Sequence, residues 1–272
     1  MRVVTVFPEL LGTYGDGGNA VVLAQRLRWR GIDADLIEAP IGSPLPRSAD
    51  IYCLGGGEDG PQGQAGVILA QDSGLVRAVE SGAAVLAVCA GFQVLGRSFP
   101  GPDGAIHAGL DLIDAATAKG RGRRLVGEVV SRPDPEVCAA GLGSNLLTGY
   151  ENHAGITTIG PGAQRLGRVT TGGGNGVGDR AEGAWCGRIV GTYMHGPVLA
   201  RNPHLADFVL GLALGPDVAL GHWSQSEMGA PLDSEVERLR TERLSHPGYG
   251  RGSLGSRARH GLSGLGLRRP RR

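Results

Sequence analysis

Of the four cysteines in the chain, Cys89 has the surroundings of a nucleophile. It lies in Val85-Leu-Ala-Val-Cys-Ala-Gly-Phe-Gln-Val-Leu-Gly96, where a continuous apolar run meets small residues and then a helical pattern. That order describes a strand–turn–helix elbow, which holds one side chain above a sheet edge. The helix N-terminus that follows favours a thiolate there. The same local pattern also admits a buried structural thiol, the reading that suits Cys53 in Ile51-Tyr-Cys-Leu54. A thiol nucleophile needs a base, brought near by the fold and not by sequence. His195 closes the apolar run Ile189-Val-Gly-Thr-Tyr-Met194 and precedes Gly196-Pro197, so it belongs at the C-terminal end of a strand, where ligands collect in open α/β sheets. His153, in Gly149-Tyr-Glu-Asn-His-Ala-Gly155, is the second candidate. His107, His204, His222, His246 and His260 stand in polar or terminal surroundings and read as surface residues. Leu54-Gly-Gly-Gly-Glu-Asp59 ends another predicted strand, and its successive N–H groups suit a developing oxyanion. It lacks the lysine of a P-loop, which argues against a nucleotide site.

The elements that must position these groups follow from periodicity. Val3–Phe7, Asp33–Glu38, Asp50–Leu54, Ala83–Val88, Arg123–Val130 and Arg188–Met194 read as strands. Asn19–Arg30, Ala65–Glu80, Phe92–Leu95 and Pro203–Leu214 read as helices, the second capped by Gly82. Strand–helix alternation predicts an α/β fold with a doubly wound, mostly parallel sheet flanked by helices. Thr170–Gly178 reads as a glycine-rich mobile hairpin tip or loop. No linker divides the core, so residues 1–245 are expected to form one domain.

Composition supports a soluble globular chain: 41% of residues are apolar and the formal net charge is +1. That balance gives no electrostatic case for a nucleic-acid partner. Lys119 is the one lysine against a background of arginine. No cysteine pair has zinc-site spacing, so no metal site is expected. No apolar run has a signal core or a membrane span's length. The expected location is cytoplasmic, with reduced thiols. Residues 246–272 are rich in Arg, Gly and Ser and contain no acid, a composition expected to remain a disordered, solvated tail.

Together the motifs resemble the class I glutamine amidotransferases of the cobyric acid synthase type, which share a flavodoxin-like α/β fold. The resemblance rests on Tyr14-Gly-Asp-Gly-Gly-Asn19, Gly55-Gly-Gly57, Cys89-Ala-Gly-Phe-Gln93, Arg124-Leu-Val-Gly-Glu128, Tyr150-Glu-Asn-His-Ala-Gly155 and Gly191-Thr-Tyr-Met-His-Gly-Pro197. It extends to about residue 215. Within that group the chain is similar to the glutaminase subunits of two-component enzymes that amidate lipid II during peptidoglycan synthesis. The resemblance implies Cys89 as nucleophile and His195 as proton shuttle. It implies Arg124 as the clamp for the glutamine α-carboxylate, with Arg123 as the neighbouring alternative. Gly56, Gly57 and Ala90 would supply oxyanion N–H groups, and Gln93 would line the site.

Further expectations come from the same resemblance. The partner would be a Mur-ligase-like subunit in a heterodimer. That partner would use ATP and the released ammonia to convert the D-glutamate α-carboxylate of the lipid II stem peptide to D-isoglutamine. No cofactor is expected in this subunit, and work near the inner face of the membrane fits a membrane-anchored substrate. Alternatives are an amidotransferase for a corrinoid or another carboxylate, and a catalytically silent binding subunit. Many relatives place a glutamate two residues beyond the catalytic histidine, where this chain has Pro197. The expectation is therefore a Cys–His dyad or an acid from elsewhere, supplied by the partner or, less favoured, by Glu151.

Overall fold

The structure is a computed structural model, and it describes residues 1–176, 178–215 and 229–245. In chain order the first half contains β1 (Arg2–Val6), α1 (Gly18–Arg28), β2 (Asp35–Ala39), β3 (Ile51–Leu54), α2 (Asp59–Gln71), α3 (Gly74–Glu80), β4 (Ala84–Val88) and α4 (Ala90–Leu95). Next come β5 (Ser98–Pro100), β6 (Ile106–Ala108), β7 (Ala115–Lys119), β8 (Leu125–Pro133), the single turn α5 (Pro135–Val137), β9 (Leu147–His153) and β10 (Gly155–Ile159). The chain continues through β11 (Gly167–Thr171), β12 (Ala181–Glu182), β13 (Ala184–Cys186), β14 (Ile189–Thr192), α6 (Val198–Arg201), α7 (Pro203–Leu214) and α8 (Gly229–Ser245).

The central sheet has the order β13-β14-β4-β3-β1-β2, and all its pairings are parallel except that of the edge strand β13. This is the expected doubly wound arrangement, with order reversing beside β1. Ligands bind beyond the carboxyl ends of strands in such sheets. β3 and β4 are buried at every position, as strands covered on both faces must be. Helices α1, α6 and α7 pack together, and α2 packs on α4.

Two smaller sheets, β10-β7-β5-β6 and β12-β11-β8-β9, extend the core. Their more polar strands carry weaker apolar runs than the central ones, and the sequence pattern revealed only part of β8. The expected helix over 65–80 is instead two helices broken at Asp72, whose carboxylate accepts from Gly74 N and Leu45 N. An aspartate that bonds nearby backbone competes with helix continuation. The glycine-rich stretch after β11 is folded inward: Gly173 N and Gly174 N donate to Glu151, and Asn175 is fully buried. The Arg/Gly-rich segment from residue 246, with His222, His246 and His260, lies outside the described residues.

Candidate active site

The carboxyl ends of β1, β3, β4 and β14 lead into the segments that bear Asp16, Gly55–Gly57, Cys89 and His195. Cys89 adopts φ 50 and ψ −104, a backbone conformation costing roughly 1–3 kcal/mol for a residue with a Cβ. The surroundings impose it. Cys89 N donates to Thr192 O at 2.8 Å, and Gly91 N donates to Gly55 O at 3.1 Å. A Cβ on Gly91 would stand 2.7 Å from Leu54 Cβ, so only glycine lets the elbow close against β3. Cys89 is 7% exposed and lines the cavity with Gln93, Arg124, Asn152 and His153. Cys53 is buried with its thiol pushed up to about 12 by desolvation, which leaves it inert, as expected.

His195 follows the last residues of β14, and its backbone is tied to Tyr150 by reciprocal N–H···O bonds of 2.8 and 3.2 Å. Its Nδ1–H donates to Asp16 Oδ2 at 2.8 Å. That bond orients the ring, and Cys89 is the second group that acts on its charge. Burial, the largest single influence, acts to lower the His195 pKa; hydrogen bonding and charge from Asp16 and Cys89 together overcome it and raise it to about 9. His195 therefore holds its proton at neutral pH, as an acid for a leaving amine requires.

Asp16 corrects the expectation that the third acid comes from outside the chain or from Glu151. Glu151 accepts from Gly173 N and Gly174 N and lies 3.9 Å from His153 Nε2; it is not bonded to His195. The Asp16 side chain is fully buried, and the same Oδ2 also accepts from Gly56 N at 2.8 Å. This changes the reading of Gly56, whose N–H anchors the acid and does not face the cavity as a free donor. A Cβ on Gly56 would lie 2.4 Å from His195 Cε1, so glycine is required for the imidazole to seat. Gly57 borders the cavity, and Ala90 opens α4 immediately after Cys89.

The remaining expected residues are also placed. Gln93 is buried, accepts from Gln62 Nε2 at 2.8 Å and donates to Tyr193 Oη at 3.1 Å. Arg124, not Arg123, borders the cavity, with Lys119 and Asp59 alongside. His153 is near the site but not paired with Cys89; its Nδ1 is bonded to Gly155 O, and burial lowers its pKa to about 4. His204 is half-buried and not a fully solvated surface residue, and burial lowers its pKa to about 4 as well. Among the described residues, no group of at least three His, Cys, Asp or Glu side chains is placed to hold a metal ion, and no helix is long and apolar enough to cross a membrane.

Residues 2–203 match the CobB/CobQ-like glutamine amidotransferase domain. The chain is 34% identical to the GatD subunit of the glutamine-hydrolysing lipid II isoglutaminyl synthase of Staphylococcus aureus (strain N315), over 77% of this chain and 84% of that one. It is 28% identical to the corresponding Streptococcus pneumoniae subunit, over 81% and 84% of the two chains. A cobyric acid synthase of Rhodobacter capsulatus is 31% identical over 74% of this chain and 39% of its own. A solved glutamine amidotransferase superposes with a TM-score of 0.51 at 21% identity, covering 78% of this chain and 99% of that one, which supports the fold. On these matches the chain belongs to the CobB/CobQ-like glutamine amidotransferase family.

Proposed function

We propose that the chain hydrolyses L-glutamine to glutamate and ammonia through Cys89, His195 and Asp16. The observation that carries this reading is the Asp16–His195 bond beside a strained Cys89. In the first half-reaction Cys89 Sγ attacks the side-chain amide carbon. The oxyanion is received by the N–H groups of Gly57 and Ala90. His195 Nε2 delivers a proton to the amide nitrogen, the C–N bond breaks, and ammonia leaves a γ-glutamyl thioester. Neutral His195 then takes a proton from water, whose oxygen attacks the thioester; the C–S bond breaks and glutamate is released. Asp16 holds the ring through Nδ1 and stabilises the imidazolium. At the open end of the cavity Arg124 and Lys119 suit the α-carboxylate, and Asp59 suits the α-ammonium.

The ammonia is proposed to pass to a Mur-ligase-like, ATP-using partner that amidates the D-glutamate α-carboxylate of the lipid II stem peptide. Similarity to both isoglutaminyl synthase subunits over 84% of their lengths supports this acceptor. The test measures ammonia release and amidation of a lipid II analogue with ATP, glutamine and the co-expressed partner. Cys89→Ala is expected to abolish ammonia release and leave complex formation intact. Wild-type turnover in that variant would remove the nucleophile assignment, and amidation of a corrinoid alone would remove the cell-wall acceptor.

A further inference from the structure

Asn152 sits near the end of β9 between the buried Glu151 and His153 and is itself half-buried at the cavity wall. Its polar atoms are committed to two residues far away in sequence. The side-chain Oδ1 accepts from Arg124 Nε, and its backbone O accepts from Arg124 Nη2 at 3.0 Å. The side-chain Nδ2 donates to Tyr14 Oη. Tyr14 lies on the turn after β1 with φ 60, and its ring is tilted over the His195 ring at a centroid distance of 4.8 Å. One amide therefore joins the residue above the catalytic imidazole to the arginine at the open end of the cavity.

We infer that Asn152 is a positioning residue for glutamine recognition, holding Arg124 by its Nε/Nη2 edge so that the Nη1/Nη2 end is presented to the substrate α-carboxylate. The inference rests on the reading of Arg124 as the glutamine clamp given above. A guanidinium binds a carboxylate best through two parallel N–H groups in a fixed plane. A free arginine must be ordered when the ligand binds, at a cost to affinity; one already held at its other edge avoids much of that loss. The residue type follows from the same need. An aspartate at 152 would hold the edge equally well but would neutralise the guanidinium and compete with the substrate carboxylate. An amide supplies the acceptor without the charge, and its spare N–H secures Tyr14.

The test is a double-variant cycle on the full chain with its co-expressed partner, reading kcat and KM for glutamine in wild type, Asn152→Ala, Arg124→Ala and the combined variant. Asn152→Ala is expected to raise KM about tenfold and keep kcat within about threefold, the pattern of lost uniform binding. In the Arg124→Ala background the same change should add less than about twofold, because residues acting through one another are not additive. Asn152→Asp should also raise KM, whereas a fold-supporting asparagine would tolerate that near-isosteric change. The inference is overturned if the two KM effects multiply, if Asn152→Ala lowers kcat at unchanged KM, or if KM stays at its wild-type value. An unchanged KM in Arg124→Ala would instead remove the clamp reading itself, and this inference with it. Tyr14→Phe keeps the ring over His195 and removes only the hydroxyl, so it serves should Asn152→Ala not fold. Its expected result is a KM increase of about threefold at constant kcat, and a fall in kcat alone would count against the shared anchor.

Discussion

Asp16 changes the chemistry assigned to this chain at the scale of single residues. The carboxylate acts with Cys89 to keep His195 protonated against the effect of burial. Asp16→Asn leaves a neutral group of the same size at Nδ1, so burial is opposed chiefly by Cys89 and the His195 pKa should fall from about 9. Acylation of Cys89 uses protonated His195, so its alkaline limb should move to lower pH, and kcat near pH 8 should drop on the order of 100-fold. A pH–rate profile of glutamine hydrolysis checks this, and an unmoved limb would mean that Asp16 does not govern the imidazole. Cys89 and His195 were legible because each ends an apolar run, which marks a strand's carboxyl end. Asp16 was not. It lies 179 residues from its partner, inside Tyr14-Gly-Asp-Gly-Gly18, where turn formation alone explains the residue types. Gly56 was placed at the site correctly, but only the fold reveals that its N–H is already held.

Among the elements, β14 and α4 share responsibility for the elbow. Thr192 O takes the Cys89 N–H, and Glu182 Oε1 accepts from Thr192 Oγ1 at 2.7 Å and Tyr193 N at 2.9 Å. Gly191 on β14 admits the Phe92 ring of α4, since a Cβ there would stand 2.1 Å from Phe92 Cδ2. Gly191→Ala should therefore cost about 1–3 kcal/mol by overpacking. It should also lower kcat, because the displaced ring belongs to the helix that follows Cys89; thermal melting and turnover read the two effects. Burial raises the Glu182 pKa from 4.5 to about 7, against the hydrogen bonds from Thr192 and Tyr193. A folded-state value above the unfolded one contributes stability that is fully present below 4.5 and lost as pH rises through about 7. The loss amounts to about 1.4 kcal/mol per pH unit across that window. Melting curves of wild type and Glu182→Gln should thus differ in slope between pH 5 and about 7, and parallel curves would show that Glu182 does not titrate there. These strands were legible as continuous apolar runs. The exchange between Gly191 and Phe92 was not, because it joins elements distant in sequence.

Across the whole molecule, the sheet that contains β9 ties the His195 segment to Arg124 at the cavity. β9 contributes Tyr150, bonded to the His195 backbone, and Asn152, bonded to Arg124; its far end is held by Asn202, which bonds both Thr148 N and Thr148 O at 2.8 Å. Arg240 on α8 reaches the same junction, donating to Asn202 Oδ1 at 3.0 Å, Arg201 O at 2.6 Å and Leu146 O at 2.6 Å. From 231 to 245, Arg240 is the one buried side chain, at 4% exposure. A helix so polar had no apolar stripe to announce it, and Arg240 is the side chain through which it saturates acceptors of the core. Arg240→Met keeps the aliphatic bulk and removes those bonds, leaving buried carbonyls without donors. The expected cost is about 3 kcal/mol, a melting point lower by roughly 6–12 °C. Asn202 retains its bonds to Thr148 and Val198, so kcat well below the transition should stay within about twofold of wild type. A melting point that did not move would mean that α8 is not docked through Arg240.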